Sequence, residues 1–388
     1  MVRPADVVTG VEERFESPLH ETRTAAILGI ALGVTFGACF ATGLLSHLIQ
    51  HPPGWFRWPS RPAGLYRATQ GVHVTTGFVS IPILLAKLWT VFPRFWTWPP
   101  ARNVAHAVER VTLLPLVAGA VFLLYSGVAN VARFYPYPFF FPAAHYWVAW
   151  MTIGAMVAHV GAKAAVTRDA LRRPTVADGA GETLPASARP VDRRAFLTGV
   201  AATSVALGLA TAGSTVGPLS SLAVLGQRRP GFGPQGLPVN KTARGAGVVA
   251  SARRPSYRLV VEGDVDERFE LTLAQLEALP QRRVVLPIAC VEGWSTSAHW
   301  TGVPVRDLLV RAGAPAGASV VVESLERNGR YRSSLLDPSH AHDRDTLLAT
   351  RIGGEPLDID HGYPVRLIGP NRPGVMQTKW VERLVVRR

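Results

Sequence analysis

The sequence predicts a two-part fold: an N-terminal all-α transmembrane helix bundle, four helices plus a fifth linking span, then a mixed α/β domain with more strand than helix. Three observations predict it. Five long stretches lack Asp, Glu, Lys and Arg; charge and β-branched runs return together after residue 228; and short amphipathic helical patterns lie between those runs. Of the 388 residues, 48% are hydrophobic and 18% charged, too apolar for a disordered, collagen-like or coiled-coil chain.

The apolar stretches are Ala25–Leu45, Gly71–Ala86 (continuing past Lys87 to Phe92), Val111–Ala132, Ala143–Ala162 and Ala195–Gln227. A helix that crosses a bilayer needs ~20 mostly apolar residues. The first four satisfy this, with Lys87 near a membrane end or inside the bundle. The fifth is long and rich in Ala, Gly, Ser and Thr, and its uncharged length favours a span over a flexible tether. The segments expected are a four-helix membrane domain (1–170), a cytoplasmic loop (171–194), the fifth span (195–227) and an extracytoplasmic domain (228–388).

The net charge of +14 could mean nucleic acid, but topology accounts for much of it. With the N-terminus inside, the inner segments of the bundle hold 13 Lys and Arg and the outer loops hold 4 (Arg57, Arg61, Arg67 and Arg133). The chain is therefore expected in the cell membrane as a multi-pass protein with a cytoplasmic N-terminus and an outer C-terminal domain. Its partners would be membrane lipid and a small-molecule substrate, and no nucleic acid.

In the last domain, strands are expected at Tyr257–Glu262, Arg283–Ile288, Ser319–Glu323, Tyr363–Ile368 and Trp380–Val386. Helices are expected at Leu273–Ala278 and Val305–Arg311. Residues 228–256, rich in Gly, Pro and Arg, read as an irregular wrap. The two cysteines, Cys39 in an apolar run and Cys290 in the polar half, cannot make a disulfide framework.

Histidines cluster near or in the spans: His20, His47, His51, His73, His106, His145 and His159. Ionisable side chains within a membrane are costly and point to function, and a neutral imidazole can ligate haem iron. His145 and His159 are 14 residues apart. That spacing puts them about 40° apart around one helix and ~21 Å apart along it, suitable for two haems stacked across a bilayer.

This order of histidines resembles the di-haem membrane cytochrome b subunits of formate dehydrogenases and nickel-iron hydrogenases. The resemblance implies b-type haem, one or two. It pairs His73 with His145 at an outer haem and His20 with His159 at an inner one. His106 could replace His20, and His47 could compete at the outer site. The stretch VDRRAFLTG (191–199) resembles a twin-arginine export motif, which would imply an outer domain folded before export.

The chemistry of the outer domain centres on Pro287–Leu309, where Cys290 follows a strand that ends at Ala289. A buried cysteine can be a small core residue, a nucleophile or a thiolate ligand to a soft metal. CVEGWS followed by W-x-GVPV, with HGYPVRLIGP and MQTKWVE further on, resembles the molybdopterin domain of sulfite oxidase-type enzymes. It is most like the bacterial branch containing the periplasmic methionine sulfoxide reductase catalytic subunit.

The resemblance implies a molybdopterin-dependent oxidoreductase in which the Cys290 sulfur binds molybdenum. It further implies cofactor contacts from Asn240, Ser324, His361 (where the family has Asn), Arg366, Gln377, Thr378 and Lys379. Val291–Trp294 replaces the Gly-Asn and arginines of the sulfite-oxidising branch. The expected function is oxo transfer on a small substrate such as a sulfoxide or sulfite, with electrons exchanged with the quinone pool through b-type haem. The rival is a membrane cytochrome b whose outer domain binds or senses without catalysis.

Overall fold

The computed structural model describes residues 18–96, 103–172, 192–226, 228 and 230–388. The expected loop Pro174–Pro190 lies outside them. Among the described residues, five helices are long and apolar enough to cross a membrane. They are α1 (Thr22–Gln50), α2 (Leu65–Val91), α3 (Val104–Val131), α4 (Phe141–Arg172) and α5 (Arg193–Ala212). The chain divides into two compact units. One comprises residues 1–44 and 72–211; the other comprises 45–71 and 212–388. The connection between α1 and α2 thus belongs to the C-terminal unit.

In the first unit, Leu28 of α1, Ile83 and Ala86 of α2, and Phe196, Leu197 and Val200 of α5 form one apolar cluster. Small residues allow close helix approach, as lipid offers no hydrophobic drive between helices. A Cβ on Gly119 of α3 would lie 2.1 Å from Thr152 Oγ1 of α4. Lys87 lies inside the bundle, where its ammonium donates to Ala25 O of α1. Asn103 caps α3, its side chain accepting from His106 N at 2.8 Å, so His106 occupies the first turn.

The fifth helix stops at Ala212, well short of Gln227. At Gly213 the chain folds back so tightly that a Cβ would lie 2.2 Å from Leu219 O, and residues 217–222 form a short 3-10 turn. Residues after Ala212 serve the C-terminal unit: Ser214 O accepts from Ser295 N at 2.9 Å, and Thr215 Oγ1 donates to Gly293 O at 3.1 Å.

The second unit contains two sheets. Its strands are β1 (Leu259–Gly263), β2 (Phe269–Leu271), β3 (Arg282–Ala289), β4 (Ser295–Pro304), β5 (Ser319–Ser324), β6 (Ser333–Leu336), β7 (Leu347–Ile352), β8 (Glu355–Pro356), β9 (Arg366–Ile368) and β10 (Val381–Arg387). The first sheet has the order β2-β1-β10-β5-β6, with β1 and β10 parallel. The second has the order β3-β4-β7-β8, with β9 also paired to β7.

Short helices α6 (Val249–Ala252), α7 (Leu273–Ala278), α8 (Val305–Arg311) and α9 (Pro338–Ala341) complete the unit. Thr272 and Gln275 form a reciprocal capping box that starts α7. In β5, Val320, Val322 and Ser324 are buried while their neighbours are partly exposed, the period-2 pattern of a one-sided strand. The larger core joins Leu259, Val261, Leu276, Leu308, Val320, Val322, Leu367 and Leu384. The other contains Leu286, Ile288, Cys290, Trp294, Trp300 and Ile368.

Candidate functional site

Cys290 stands where β3 ends. Its N–H donates to Trp294 O at 2.9 Å, and its carbonyl accepts from Gly293 N at 3.0 Å. The tight turn needs Gly293, whose φ is +90°. Cys290 is 2% exposed. Burial, then the Glu292 carboxylate, push its thiol up to about 12. A thiol so reluctant to ionise is a poor free nucleophile, whereas coordination by a metal would deprotonate it outright.

The departure Val291–Trp294 has a structural purpose. Glu292 forms an enclosed ion pair with Arg228 and accepts from Trp294 Nε1 at 3.1 Å; Arg228 also donates to Asn240 O at 3.1 Å. Glu292 thereby ties the cysteine turn to the irregular segment that carries Asn240.

Three cations with few acidic partners lie nearby in the fold. Arg366, on β9, is 3% exposed; its Nη1 donates to His361 O at 3.0 Å and its Nε has no partner. The guanidinium also stacks over Trp300, 5.5 Å from the ring centroid. Lys379 gives its ammonium to Lys241 O at 2.9 Å and Asp360 O at 2.7 Å. Arg372 is 4% exposed, donates to Leu335 O and Met376 O, and leaves its Nε without a partner.

Burial lowers Arg366 and Arg372 to about 10, and burial followed by repulsion from Arg366 lowers Lys379 strongly. Buried cations held by carbonyls are costly unless an anion joins them. The donors at Arg366 and Lys379, with the thiol at Cys290, suit an anionic pterin that carries a phosphate and a soft metal.

The remaining expected residues are structurally engaged. His361 is 1% exposed, its Nε2 donates to Pro234 O at 2.7 Å, and burial holds the ring down to about 4. Ser324 Oγ donates to Lys379 O at 2.8 Å and accepts from Glu326 N. Thr378 shares a hydrogen bond with Ser334 at 2.7 Å. Gln377 makes a reciprocal pair with the backbone of Gly369, at 2.8 and 2.9 Å, so its side chain fixes the loop before Lys379. Asn240 Oδ1 accepts from Lys241 N. Of the two tryptophans beside Cys290 in sequence, Trp300 is wholly buried in the core.

Sequence reasoning missed Arg228 and Tyr331. Both interact electrostatically with Cys290, yet they lie 62 and 41 positions from it in the chain. Asn371 was also missed. It has φ +54°, a conformation Asn tolerates, and it ties the α1–α2 connection to the domain. Its Nδ2 donates to Pro59 O at 2.6 Å, and its Oδ1 accepts from Tyr66 N at 2.6 Å.

In the helical unit, His73 and His145 face each other with ring centroids 6.4 Å apart and planes at 71°. His73 Nδ1 donates to Cys39 O at 2.8 Å. Ser126 Oγ donates to Leu123 O and so accepts from His145 Nδ1, at 2.8 Å. Both rings are thus held in the tautomer that leaves Nε2 for a ligand bond. Two imidazoles on opposite sides of a metal, each at a bond length of about 2 Å, place their centroids about 6 Å apart. His20 is engaged by α2: its Nδ1 pairs with Thr90 O at 2.9 Å and its ring packs on Trp89 at 4.5 Å. His159 is half-buried on α4.

Residues 246–388 match the oxidoreductase molybdopterin binding domain family. The proposed protein-methionine-sulfoxide reductase subunit YedZ1 of Azospira oryzae is 34% identical over 34% of this chain and 49% of its own length. Chicken sulfite oxidase is 30% identical over 36% of each chain. A soybean inducible NADH nitrate reductase is 43% identical over 24% of this chain and 12% of its own. The sulfane dehydrogenase SoxCD structure from Paracoccus pantotrophus is 27% identical, with a TM-score of 0.31 over 34% of this chain and 38% of its own. The chain spans half or less of the length of these relatives. The C-terminal unit carries a molybdopterin-binding oxidoreductase domain with homologues among sulfite oxidases and nitrate reductases.

Proposed function

We propose that the chain is a membrane-bound, molybdopterin-dependent oxidoreductase. It exchanges an oxygen atom and two electrons with a small extracytoplasmic substrate, a sulfoxide or sulfite, and exchanges electrons with the quinone pool through b-type haem. The observation that carries this is the enclosed Cys290 thiol in a domain whose buried Arg366 and half-buried Lys379 are held mainly by backbone carbonyls.

When bound, the molybdenum cofactor supplies two-electron oxo chemistry and haem supplies single-electron transfer. The chain's own residues bind and orient. Cys290 Sγ would hold molybdenum, Arg366 and Lys379 would neutralise the anionic cofactor, and Asn240 and His361 would line it. Ser324, Gln377 and Thr378 would fix the backbone around Lys379. His73 and His145 would hold the outer haem, and His20 and His159 an inner one.

The substrate class rests on the domain family and on the replacement of the sulfite branch's arginines by Val291–Trp294, which favours a sulfoxide. The five apolar helices and the distribution of basic residues support a membrane location with the C-terminal unit outside. Metal analysis of purified protein, with the haem band followed while sulfoxides and then sulfite are added, tests this reading. Stoichiometric molybdenum and a substrate-dependent change in haem redox state are expected. Absence of molybdenum from pterin-competent cells, with the haem band intact, would instead select the non-catalytic cytochrome.

A further inference from the structure

The C-terminal unit contains a cavity of about 480 Å³ lined from two sources. Residues 49–58, at the end of α1 and in the connection that follows, contribute Phe56 and Trp58, whose rings stack 11° from parallel. The molybdopterin-type domain contributes Tyr331, His340, Arg372 and Met376. Residues 49–58 lie outside the matched family region, and Cys290 is not among the lining residues.

Two lining side chains are almost wholly buried and have an unpartnered nitrogen: Arg372 Nε and His340 Nε2. Arg372 Nε–H can only donate. His340 is fixed by Asp337, whose Oδ2 accepts from Nδ1 at 2.8 Å. Asp337 also lines the cavity, but Ser339 N, Ser339 Oγ and His340 N occupy its other oxygen at 2.9, 2.6 and 3.2 Å. Burial opposes its ionisation, yet these bonds hold the carboxyl below the usual range. The side chains of Arg57 and Arg330 add positive charge to the lining.

We propose that this cavity binds a small organic oxyanion. The head group accepts from Arg372 Nε, beside the charge of Arg57 and Arg330, and the apolar tail lies on the Phe56–Trp58 wall and Met376. An unpaired buried donor is costly, and an oxyanion removes that cost at Arg372 Nε. An inorganic ion would leave the apolar wall unused. The connection between the first two spans is then a specificity element, since it supplies the surface that distinguishes a ligand with a tail from one without. This site does not depend on molybdenum.

Calorimetric titration of the detergent-purified full chain with inorganic sulfate, methanesulfonate and propanesulfonate tests it. Each added methylene should tighten binding about fourfold, so propanesulfonate should bind at least tenfold more tightly than methanesulfonate, with sulfate weakest. Arg372→Gln should weaken propanesulfonate by tenfold or more, and Trp58→Ala should flatten the chain-length series. Cys290→Ser protein should bind as the wild type does, which separates this result from the fate of the metal. Equal affinity for the three anions, or no saturable binding by the folded wild type, would overturn the proposal, and neither reading requires that a variant fold.

Discussion

At Cys290 and His361 burial acts in opposite directions on two groups of the same domain. The thiol is raised and stays protonated without a metal, while the imidazole is lowered to about 4 and stays neutral. For His361 the consequence is a pH-dependent stability. Between its unfolded value near 6.5 and its folded value of about 4, the unfolded chain binds a proton that the folded chain refuses, so stability falls as pH drops through that window. The loss from this residue approaches about 3 kcal/mol at the acid end. His361→Asn should remove that part of the slope, measured by denaturant unfolding of the C-terminal unit between pH 7 and pH 4. An unchanged slope would contradict it.

Helices and connections carry the next set of constraints. A Cβ on Gly43 of α1 would lie 2.7 Å from Cε1 and 3.0 Å from Nδ1 of His73, so Gly43→Ala must displace the ring from Cys39 O. Haem content, read from the Soret band, should fall in Gly43→Ala and be lost at the outer site in His73→Ala and His145→Ala. Retention of full haem in both histidine variants would remove that ligand assignment. In the α1–α2 connection, Asn371→Ala strips partners from Pro59 O and Tyr66 N, a cost of about 2–4 kcal/mol. It should appear as faster proteolysis within residues 45–71.

Much of this element structure was legible in the sequence, because length without charge marks a long apolar helix and amphipathic periodicity marks α7 and α8. The bounds of α7 and α8 match the periodicity, and β3 ends at Ala289 as the motif implied. The fifth helix was overextended because an apolar composition does not reveal the fold-back at Gly213. Strands β2, β4, β6, β7 and β8 were not expected: β2, β6 and β8 are only two to four residues long, β4 mixes Ser, Ala and His into its run, and β7 is buried on both faces, which hides any alternation. The short motifs carried the expectations for Cys290, Arg366 and Lys379. They could not identify Arg228, Tyr331 or Asn371, which act on the site only through tertiary contact.

For the molecule as a whole, two kinds of sequence have been joined. A helical unit holds paired imidazoles in a uniform tautomer, and a strand-rich unit holds a protonated thiol beside cations that call for an anion. Each would be costly on its own: imidazoles are expensive in an apolar bundle, and buried guanidinium groups without carboxylates are expensive in a core. The cofactors proposed for both places would resolve both costs. The account therefore depends above all on the bond between Cys290 and molybdenum.

Molybdenum K-edge X-ray absorption of the purified chain, compared with Cys290→Ser, measures that bond directly. The account predicts one fewer sulfur neighbour at molybdenum in the variant, with the haem spectrum unchanged. An identical sulfur shell in the two proteins, or no molybdenum in the wild type, would contradict it.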